Sequence, residues 1–264
     1  MKISLVQFKP TLCNPLKNAK KINALIKESE HADLYILPEL CNSGYNFSNR
    51  KEAMSSSSQA DKHNIFIKSL VEISKTKNCG IVCGINERDK DKLFNSAVLI
   101  SKMGIVGKYR KVHLFRNEKT IFEPGDLGFP VFKFMDAQIG MLVCFDWMFP
   151  EAWRILSMKG ADLICHPSNL VLPGYAQKSL PAHAMNNGIF IATANRIGIE
   201  KELKFTGRSV LVNPKGEFIL EGSLDSEQIL SAEIQPESSR NKYITPENHI
   251  FEDRKINAYK ELLN

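Results

Sequence analysis

Three residues with reactive side chains each follow an apolar run of the sequence. Cys144 comes directly after residues 139–143, Glu39 closes the run that begins at residue 34, and Lys111 follows the second strand of a predicted hairpin. A carboxylate can remove the proton of a thiol, and an ammonium group can stabilise the negative charge that develops when the thiolate attacks. A Cys, a Glu and a Lys at strand ends are therefore consistent with a covalent catalytic site.

Each of these residues also has an ordinary structural interpretation. A cysteine in an apolar run is often a small core residue. Glu39 is equally consistent with a helix cap or a surface carboxylate, and Lys111 with a solvated charge at a sheet edge. His113 and His166 are the candidates for a papain-like base, but each lies within an apolar segment and we expect a structural role for both. The residues alone leave these interpretations open.

Short apolar runs separated by turn residues predict the strands that must position these side chains. The predicted strands cover residues 3–8, 34–37, 80–85, 96–100, 138–143, 163–166, 189–194, 209–212 and 229–234. Two hairpins are expected, one joining 95–101 to 105–109 and one joining 209–213 to 217–220.

Helical periodicity predicts that Leu16, Ala19, Asn23 and Ile26 share a face of one helix. A second helix is expected to present Ile65, Leu70, Ile73 and Ser74 on one face. Pro150 is typical of the first turn of a helix, and residues 179–188 predict another helix that ends at Gly188. Parallel units combined with hairpins indicate a mixed α/β architecture in which helices cover the sheets.

Length, charge and composition restrict the class of protein. A chain of 264 residues that is 43% hydrophobic suits a single domain spanning residues 1–264. The formal net charge is +6, but the densest basic run, residues 108–111, is short and isolated, so we expect a solvated basic surface and no nucleic-acid partner. No apolar run approaches the roughly 20 residues that span a bilayer, so no membrane partner is expected.

Six cysteines are present, and Cys79 and Cys83 form the closest pair. No second Cys or His pair follows them at zinc-site spacing, so we expect no metal. The first residues run directly into a strand pattern without the apolar core and cleavage site of a signal peptide. A reducing, cytoplasmic location is therefore the expectation.

Three ordered segments resemble the signature segments of the nitrilase superfamily of carbon–nitrogen hydrolases. They are residues 37–40 (LPEL), 109–115 (YRKVHLF) and 143–147 (VCFDW). Residues 122–125, 166–169, 194–196 and 205–209 also look like landmarks of that superfamily. The resemblance extends through nearly the whole chain, and three motifs at matching separations are specific.

The resemblance implies an α–β–β–α sandwich of mixed sheets that forms a homodimer through its helices and so produces a four-layered assembly. The C-terminal tail from about residue 236 is expected at that interface. It also implies Glu39 as general base, Lys111 as catalytic lysine and Cys144 as nucleophile. Glu118 matches a second glutamate of the superfamily, which positions the substrate or Lys111.

The remaining expectations concern substrate and pocket. The backbone N–H of Phe145 is expected to join Lys111 at the developing charge. Trp147, Tyr45 and Asn169 are expected to line the substrate pocket because they lie near the motifs. The implied reaction is hydrolysis of a small, aliphatic nitrile or amide through a Cys thioester, which releases ammonia and a carboxylic acid without a cofactor.

The segment after Cys144 is most similar to small archaeal-type nitrilases acting on aliphatic nitriles. Larger nitrilases carry Trp and Glu where this chain has Phe145 and Asp146, and omega-amidases usually carry Arg where it has Met148. N-carbamoyl-amine and omega-amide amidases are the alternatives within the superfamily. A non-catalytic binding module and an acyl transferase on the same fold are alternatives of another class.

Overall fold

Two six-stranded sheets form the centre of the chain in the computed structural model, which describes residues 1–61 and 63–263. The strands of the described residues, numbered along the chain, are β1 (Lys2–Gln7), β2 (Leu34–Ile36), β3 (Gly80–Asp89), β4 (Lys92–Ser101), β5 (Gly104–Arg110), β6 (Val131–Phe134), β7 (Ala137–Met141), β8 (Leu163–Ser168), β9 (Phe190–Asn195), β10 (Ile199–Glu200), β11 (Leu203–Lys204), β12 (Val210–Val212), β13 (Phe218–Glu221), β14 (Gln228–Glu233), β15 (Tyr243–Thr245) and β16 (Asn248–His249).

The two large sheets share one design. The first has the order β14-β1-β2-β3-β4-β5, and the second has the order β13-β12-β9-β8-β7-β6. In the first sheet β1, β2 and β3 run parallel, and in the second β7, β8 and β9 do so, while the outer strands pair antiparallel. Each parallel centre gathers the carboxyl ends of its strands at one edge, which is where α/β proteins place ligand sites.

The described residues form six α-helices, and four of them pack against the two large sheets. The six helices are α1 (Pro15–Glu28), α2 (Arg50–Ser55), α3 (Ile65–Lys77), α4 (Glu118–Ile121), α5 (Pro150–Met158) and α6 (Tyr175–Asn187). Side chains of α1 and α3 pack on one face of the first sheet, whereas those of α5 and α6 join the core that fills the space between the sheets and behind the second one. The predicted α–β–β–α sandwich of mixed sheets is confirmed.

Both predicted hairpins form, as β4–β5 and β12–β13. Both predicted helices form, as α1 and α3, but the first residue of each predicted face is exposed. Leu16 and Ile65 occupy the first turns of α1 and α3 and are exposed, and the buried faces are completed by Ile22 and by Ile67 instead. A first turn often projects beyond the sheet that the rest of the helix covers, so apolar spacing alone does not show that it is buried.

The predicted helix at residues 179–188 is longer than expected. It begins at Tyr175, and Pro181 lies within it. Burial of Ala176, Leu180 and Ala184 on the second sheet carries the helix through the proline, which lacks a backbone donor. Gly188 ends the helix in the left-handed region, as predicted.

The segment after β14 packs against the helices of its own chain. Lys242 Nζ donates to the carbonyl oxygens of Asn187 and Gly188 at 3.0 and 2.8 Å, which caps the end of α6. The guanidinium of Arg154 lies 5.2 Å from the ring centroid of Phe251. Within residues 1–61 and 63–263, no helix combines the length and apolarity needed to cross a membrane.

Candidate active site

Glu39, Lys111 and Glu118 form one buried hydrogen-bonded cluster. Glu39 follows β2, Lys111 follows β5, and Glu118 is the first residue of α4. Lys111 Nζ lies 2.7 Å from Glu39 Oε1 and 2.8 Å from Glu118 Oε2. All three side chains are almost completely inaccessible to solvent, so Lys111 is a buried cation rather than the solvated edge charge that is usual at such a position.

One lysine shares its charge between two buried carboxylates. Burial by itself would lower the pKa of Lys111, but the negative charges of Glu118 and Glu39 outweigh it and hold that pKa far above its ordinary value. Burial raises the pKa of Glu118, the charge of Glu39 adds to that rise, and Lys111 opposes it. The cluster therefore carries a fixed ammonium group and more acidic groups than one cation can neutralise.

Glu39 keeps one carboxylate oxygen available. Its Oε1 accepts hydrogen bonds from Lys111 Nζ and from Asn95 Nδ2, each at 2.7 Å. Its Oε2 is buried and has no hydrogen-bond partner among the described residues. A Cβ on Gly84 would lie 2.4 Å from the Cα of Glu39, so only glycine allows β3 to approach this closely.

Cys144 lies at a sharp turn between β7 and α5. Its φ is +43°, in the left-handed region, and it begins a 3₁₀ turn that spans Cys144–Met148. The Nε2 of His166 lies 2.9 Å from the carbonyl oxygen of Cys144 and the Nδ1 lies 3.0 Å from Thr193 Oγ1. Burial lowers the pKa of His166 to about 4, so the ring is neutral and donates from Nε2 to the carbonyl. His166 therefore holds the turn through its backbone.

Asp146 fastens this turn to the segment that carries Lys111. Its Oδ2 accepts hydrogen bonds from the Val143 N–H and from the Tyr109 hydroxyl, each at 2.8 Å. Its Oδ1 lies 2.7 Å from His113 Nδ1. The fully buried carboxylate thus links residues 109–113 to residues 143–146. Sequence reasoning used Asp146 only as a marker of the superfamily branch and missed this contact.

The thiol of Cys144 is neutral in this setting. Burial raises its pKa well above the ordinary value, Glu39 raises it further, and Lys111 opposes the rise. A nearby base is therefore required to produce the thiolate that attacks.

A small cavity of about 10 Å³ adjoins Cys144, which is room for about one water molecule. Its walls are mostly apolar and comprise Phe115, Cys144, Phe145, Trp147, Asn169, Leu170, Val171 and Leu172. Phe145, Trp147 and Asn169, which are predicted to contact substrate, lie on the wall of this cavity. Tyr45 is not among the lining residues; its hydroxyl donates to Glu118 Oε1 at 2.8 Å.

Besides Asp146, two more contributors to the site, Asn95 and Phe115, were missed from the sequence. Asn95 lies in β4 and binds Glu39, and a buried amide in an apolar strand was the signal that could have identified it. Phe115 lies at the end of the signature segment that contains Lys111, and it lines the cavity.

The basic run at residues 108–111 is not a solvated patch. Lys108 and Arg110 both pair with the buried carboxylate of Glu87, and Arg110 also binds Asp89 and Asp126 at 2.8 and 3.0 Å. The expectation of a solvated basic surface at this run was wrong, because the carboxylates that neutralise it are distant in sequence.

Taken together, the arrangement offers a neutral thiol and, counting partners among residues 1–61 and 63–263 only, an unpartnered carboxylate oxygen and an ammonium group with one unused proton. These are the groups needed to generate a thiolate, to stabilise an oxyanion and to protonate a leaving group.

Comparison with known proteins gives a consistent result. A sequence model described as carbon-nitrogen hydrolase matches residues 2–242. The chain is 42% identical over 261 residues to a protein of Pyrococcus abyssi named nitrilase, which covers 98% of this chain and 99% of the relative.

Solved structures agree over nearly the full length. A carbon-nitrogen hydrolase from Helicobacter pylori G27 aligns with a TM-score of 0.88 at 26% identity and covers 100% of this chain and 98% of the other. An amidase from Nesterenkonia sp. aligns with a TM-score of 0.84 at 26% identity and covers 99% of this chain and 96% of the other.

Proposed function

The chain belongs to the carbon-nitrogen hydrolase family, within the nitrilase superfamily, and on that premise we propose that it hydrolyses small aliphatic amides or nitriles with Cys144 as nucleophile. The observation that supports this most directly is the buried Glu39–Lys111–Glu118 cluster, whose charges act on the Cys144 thiol. Glu39 Oε2 has no partner within the described part of the chain, so an acceptor is available for the thiol proton.

The first step forms a carbon–sulfur bond. Glu39 Oε2 removes the proton of Cys144 as the sulfur attacks the carbon of the amide or nitrile. An amide gives a tetrahedral oxyanion and a nitrile gives a thioimidate. The unused proton of Lys111 Nζ and the backbone N–H of Phe145 stabilise the negative charge that develops.

The later steps return that proton and consume water. Protonated Glu39 donates to the leaving nitrogen, the carbon–nitrogen bond breaks, and ammonia departs to leave a thioester on Cys144. A thioimidate first adds water to reach the same tetrahedral stage. Glu39 then takes a proton from a second nucleophile, water, and the thioester is hydrolysed to a carboxylic acid and the free thiol.

Glu118 and Tyr45 position the lysine in this scheme. Glu118 binds Lys111, while Glu39 has the separate role of base. The Tyr45 hydroxyl donates to Glu118 Oε1. Because Lys111 is held by two carboxylates, its ammonium group stays charged and fixed in direction during the reaction.

The cavity restricts the substrate. Its small volume disfavours a bulky substrate, and its mostly apolar walls suit an aliphatic acyl group better than a charged one. An omega-amide carries a distant carboxylate, and the residues that line the cavity include no Lys or Arg to bind it. This disfavours the omega-amidase alternative and leaves N-carbamoyl amines as a second substrate class.

A homodimer is also proposed. Met158 on α5 and Tyr175 and Met185 on α6 are large apolar side chains exposed on the outer helical layer. Pairing these helices with those of a second copy would bury them, and the C-terminal tail, which packs beside α5 and α6, would lie next to that interface. The size in solution tests this, with Met158→Glu and Met185→Glu combined as the disrupting variant and Met103→Glu, on the exposed β4–β5 turn, as the control. A wild-type monomer would contradict the proposal.

A reducing compartment, the cytoplasm, is the proposed location. All six cysteines are free thiols, and the reaction requires Cys144 to remain one.

The decisive measurement is release of ammonia from a panel of small aliphatic amides, nitriles and N-carbamoyl amines. Cys144→Ala is the blank, and Cys165→Ala is the matched control, since Cys165 is a buried thiol on the neighbouring strand β8. We expect activity in the wild type and the control but not in the blank. Mass spectrometry should find the trapped acyl group on Cys144. An adduct on Cys165, or no ammonia above the blank, would overturn the proposal, and ammonia without the matching acid would indicate acyl transfer.

A further inference from the structure

Asn169 lies immediately after β8 on the wall of the cavity that adjoins Cys144. The residue is 2% exposed, yet neither its Oδ1 nor its Nδ2 has a hydrogen-bond partner among the described residues. Cys144 and Asn169 line the same cavity. A buried carboxamide therefore lies on the wall of the cavity beside Cys144, and both of its polar atoms lack a partner in the described part of the chain.

This situation is uncommon in a folded protein. Buried polar groups nearly always have partners, because an unpaired one has lost its hydrogen bonds to water without replacing them. Asn195, at the corresponding end of the next strand β9, shows the ordinary case. Its Oδ1 accepts from the Leu170 N–H at 2.9 Å, and its Nδ2 donates to Thr206 Oγ1 at 3.1 Å. Asn195 therefore links two loops through hydrogen bonds, whereas the polar atoms of the Asn169 side chain remain available to a ligand.

The unused groups at the site define the ligand that would satisfy them. Asn169 Oδ1 and Glu39 Oε2 are acceptors, and Asn169 Nδ2 and the third proton of Lys111 Nζ are donors. Glu39 Oε2 is occupied by the thiol proton during attack, so Asn169 Oδ1 is the acceptor that remains. A –CO–NH₂ group supplies both N–H donors and a carbonyl acceptor. A nitrile supplies one acceptor and no N–H.

We propose that Asn169 recognises the –CO–NH₂ group of the substrate through its Oδ1, so that primary amides and N-carbamoyl amines are preferred to nitriles. The inference rests on the proposed hydrolysis at Cys144 and narrows its substrate class. As Glu39 protonates the leaving nitrogen, the N–H groups become more acidic and their hydrogen bond to Oδ1 strengthens. An interaction that strengthens in the transition state raises kcat more than it lowers KM.

The test compares two substrates with the same acyl chain, propionamide and propionitrile, by release of ammonia. The wild type should show kcat/KM at least about tenfold higher for the amide. Asn169→Leu keeps the branching and the number of side-chain heavy atoms but has no polar atoms, and it should lower kcat for the amide by about 30-fold while the nitrile changes by less than about threefold. Leu172→Ala alters the same wall without a hydrogen bond and should affect the two substrates equally.

A second readout needs no turnover. Iodoacetamide and iodoacetonitrile both alkylate a thiol with loss of iodide and a proton, and the product retains the amide or the nitrile. The rates on Cys144, followed by intact mass with Cys144→Ala as blank, are divided by the rates on free glutathione. The corrected ratio should favour iodoacetamide in the wild type, and Asn169→Leu should abolish the preference.

A wild-type preference for the nitrile in either assay overturns the proposal, as do equal losses on both substrates in Asn169→Leu. Should that variant not fold, the wild-type ratios decide. Failure of the proposed function looks different, because no compound would then release ammonia above the Cys144→Ala blank. The alkylation ratio would still report on Asn169 in that event.

Discussion

Arg110 and Lys111 are consecutive residues at the end of β5, yet they lead to two separate ion clusters. The Arg110 guanidinium binds Glu87 and Asp89, each at 2.8 Å, and lies 3.7 Å from the ring centroid of Phe94. The Lys111 ammonium group binds two carboxylates that lie on the other side of the strand end.

The difference lies in what each cluster leaves unused. The planar guanidinium of Arg110 is shared among three carboxylates, two of which, Asp89 and Asp126, are half-exposed and hydrated. In the part of the chain that the structure describes, Lys111 Nζ donates two of its three protons, to Glu39 and Glu118, inside a buried cluster. Glu39 Oε2 has no partner there. A saturated cluster, in which each charged group has all its partners, contributes to stability. An unsaturated cluster, in which some donors or acceptors lack partners, has groups left for a reaction.

Removing Lys111 should have the largest effect on catalysis. Lys111→Met leaves Glu39 and Glu118 buried without their cation and deletes the charge that stabilises the oxyanion. We expect kcat for ammonia release to fall by about 10³-fold. Lys108→Met is the control, because Lys108 pairs with Glu87 in the other cluster and should leave kcat within about threefold. Comparable losses in both variants would mean that the two clusters are not functionally distinct.

Removing the arginine should have the complementary effect. Arg110→Met leaves Glu87 buried without its main partner, which costs about 3–5 kcal/mol of unfolding free energy. The contacts of Lys111 are not altered, so kcat per folded molecule should change by less than about threefold. Urea unfolding and active-site titration of Cys144 measure the two quantities. A stable but inactive variant would contradict the division of roles.

Much of the fold could be predicted because strand and hairpin signals are local. The apolar runs at residues 3–8 and 163–166 and the turn at Met103 and Gly104 are properties of a few neighbouring residues. The helix ends were less predictable, since the exposure of Leu16 depends on where the sheet stops.

The candidate site residues were predicted from the family motifs rather than from local physics. Nothing near Arg110 and Lys111 distinguishes a saturated ion cluster from an unsaturated one, because Glu87 and Glu39 are distant in sequence. Asp146 and Asn95 were missed for the same reason, since their partners come from other strands. Contacts of this kind depend on the register between strands and not on the residue type alone.

The pH dependence of unfolding free energy should differ between the two clusters. Burial would raise the pKa of Glu87, but hydrogen bonds from Arg110, Lys108 and Ser96 hold it below the ordinary value. Glu87 therefore stabilises the fold above its unfolded pKa, and that contribution is lost as the pH falls through the lower, folded value.

The contribution of Glu118 to stability changes with pH in the opposite direction. Burial raises its pKa, so the folded protein keeps a proton that the unfolded chain has released. Its contribution is present below the unfolded pKa, 4.5, and is lost as the pH rises through the raised value. Urea unfolding from about pH 3.5 to about pH 7 should show Glu87→Gln flattening the acid limb and Glu118→Gln flattening the opposite one. Flattening of the same limb by both variants would refute this assignment.

The smallest expected effect concerns the outer support of the Lys111 cluster. Tyr45→Phe removes the hydroxyl that donates to Glu118 Oε1 but keeps the ring, which packs edge-on against Phe205 at 5.9 Å. Glu118 remains bound to Lys111, so kcat/KM should fall by only about threefold to tenfold, with about 1 kcal/mol of unfolding free energy lost.

The chain offers a matched control for that change. The Tyr35 hydroxyl, on β2, donates to the carbonyl oxygen of Glu30 at 2.6 Å on the outer side of the first sheet. Tyr35→Phe should lower the unfolding free energy by a similar amount while kcat/KM stays unchanged. If the two variants lose activity equally, the effect of Tyr45 comes from stability alone, and the support of Lys111 ends at Glu118.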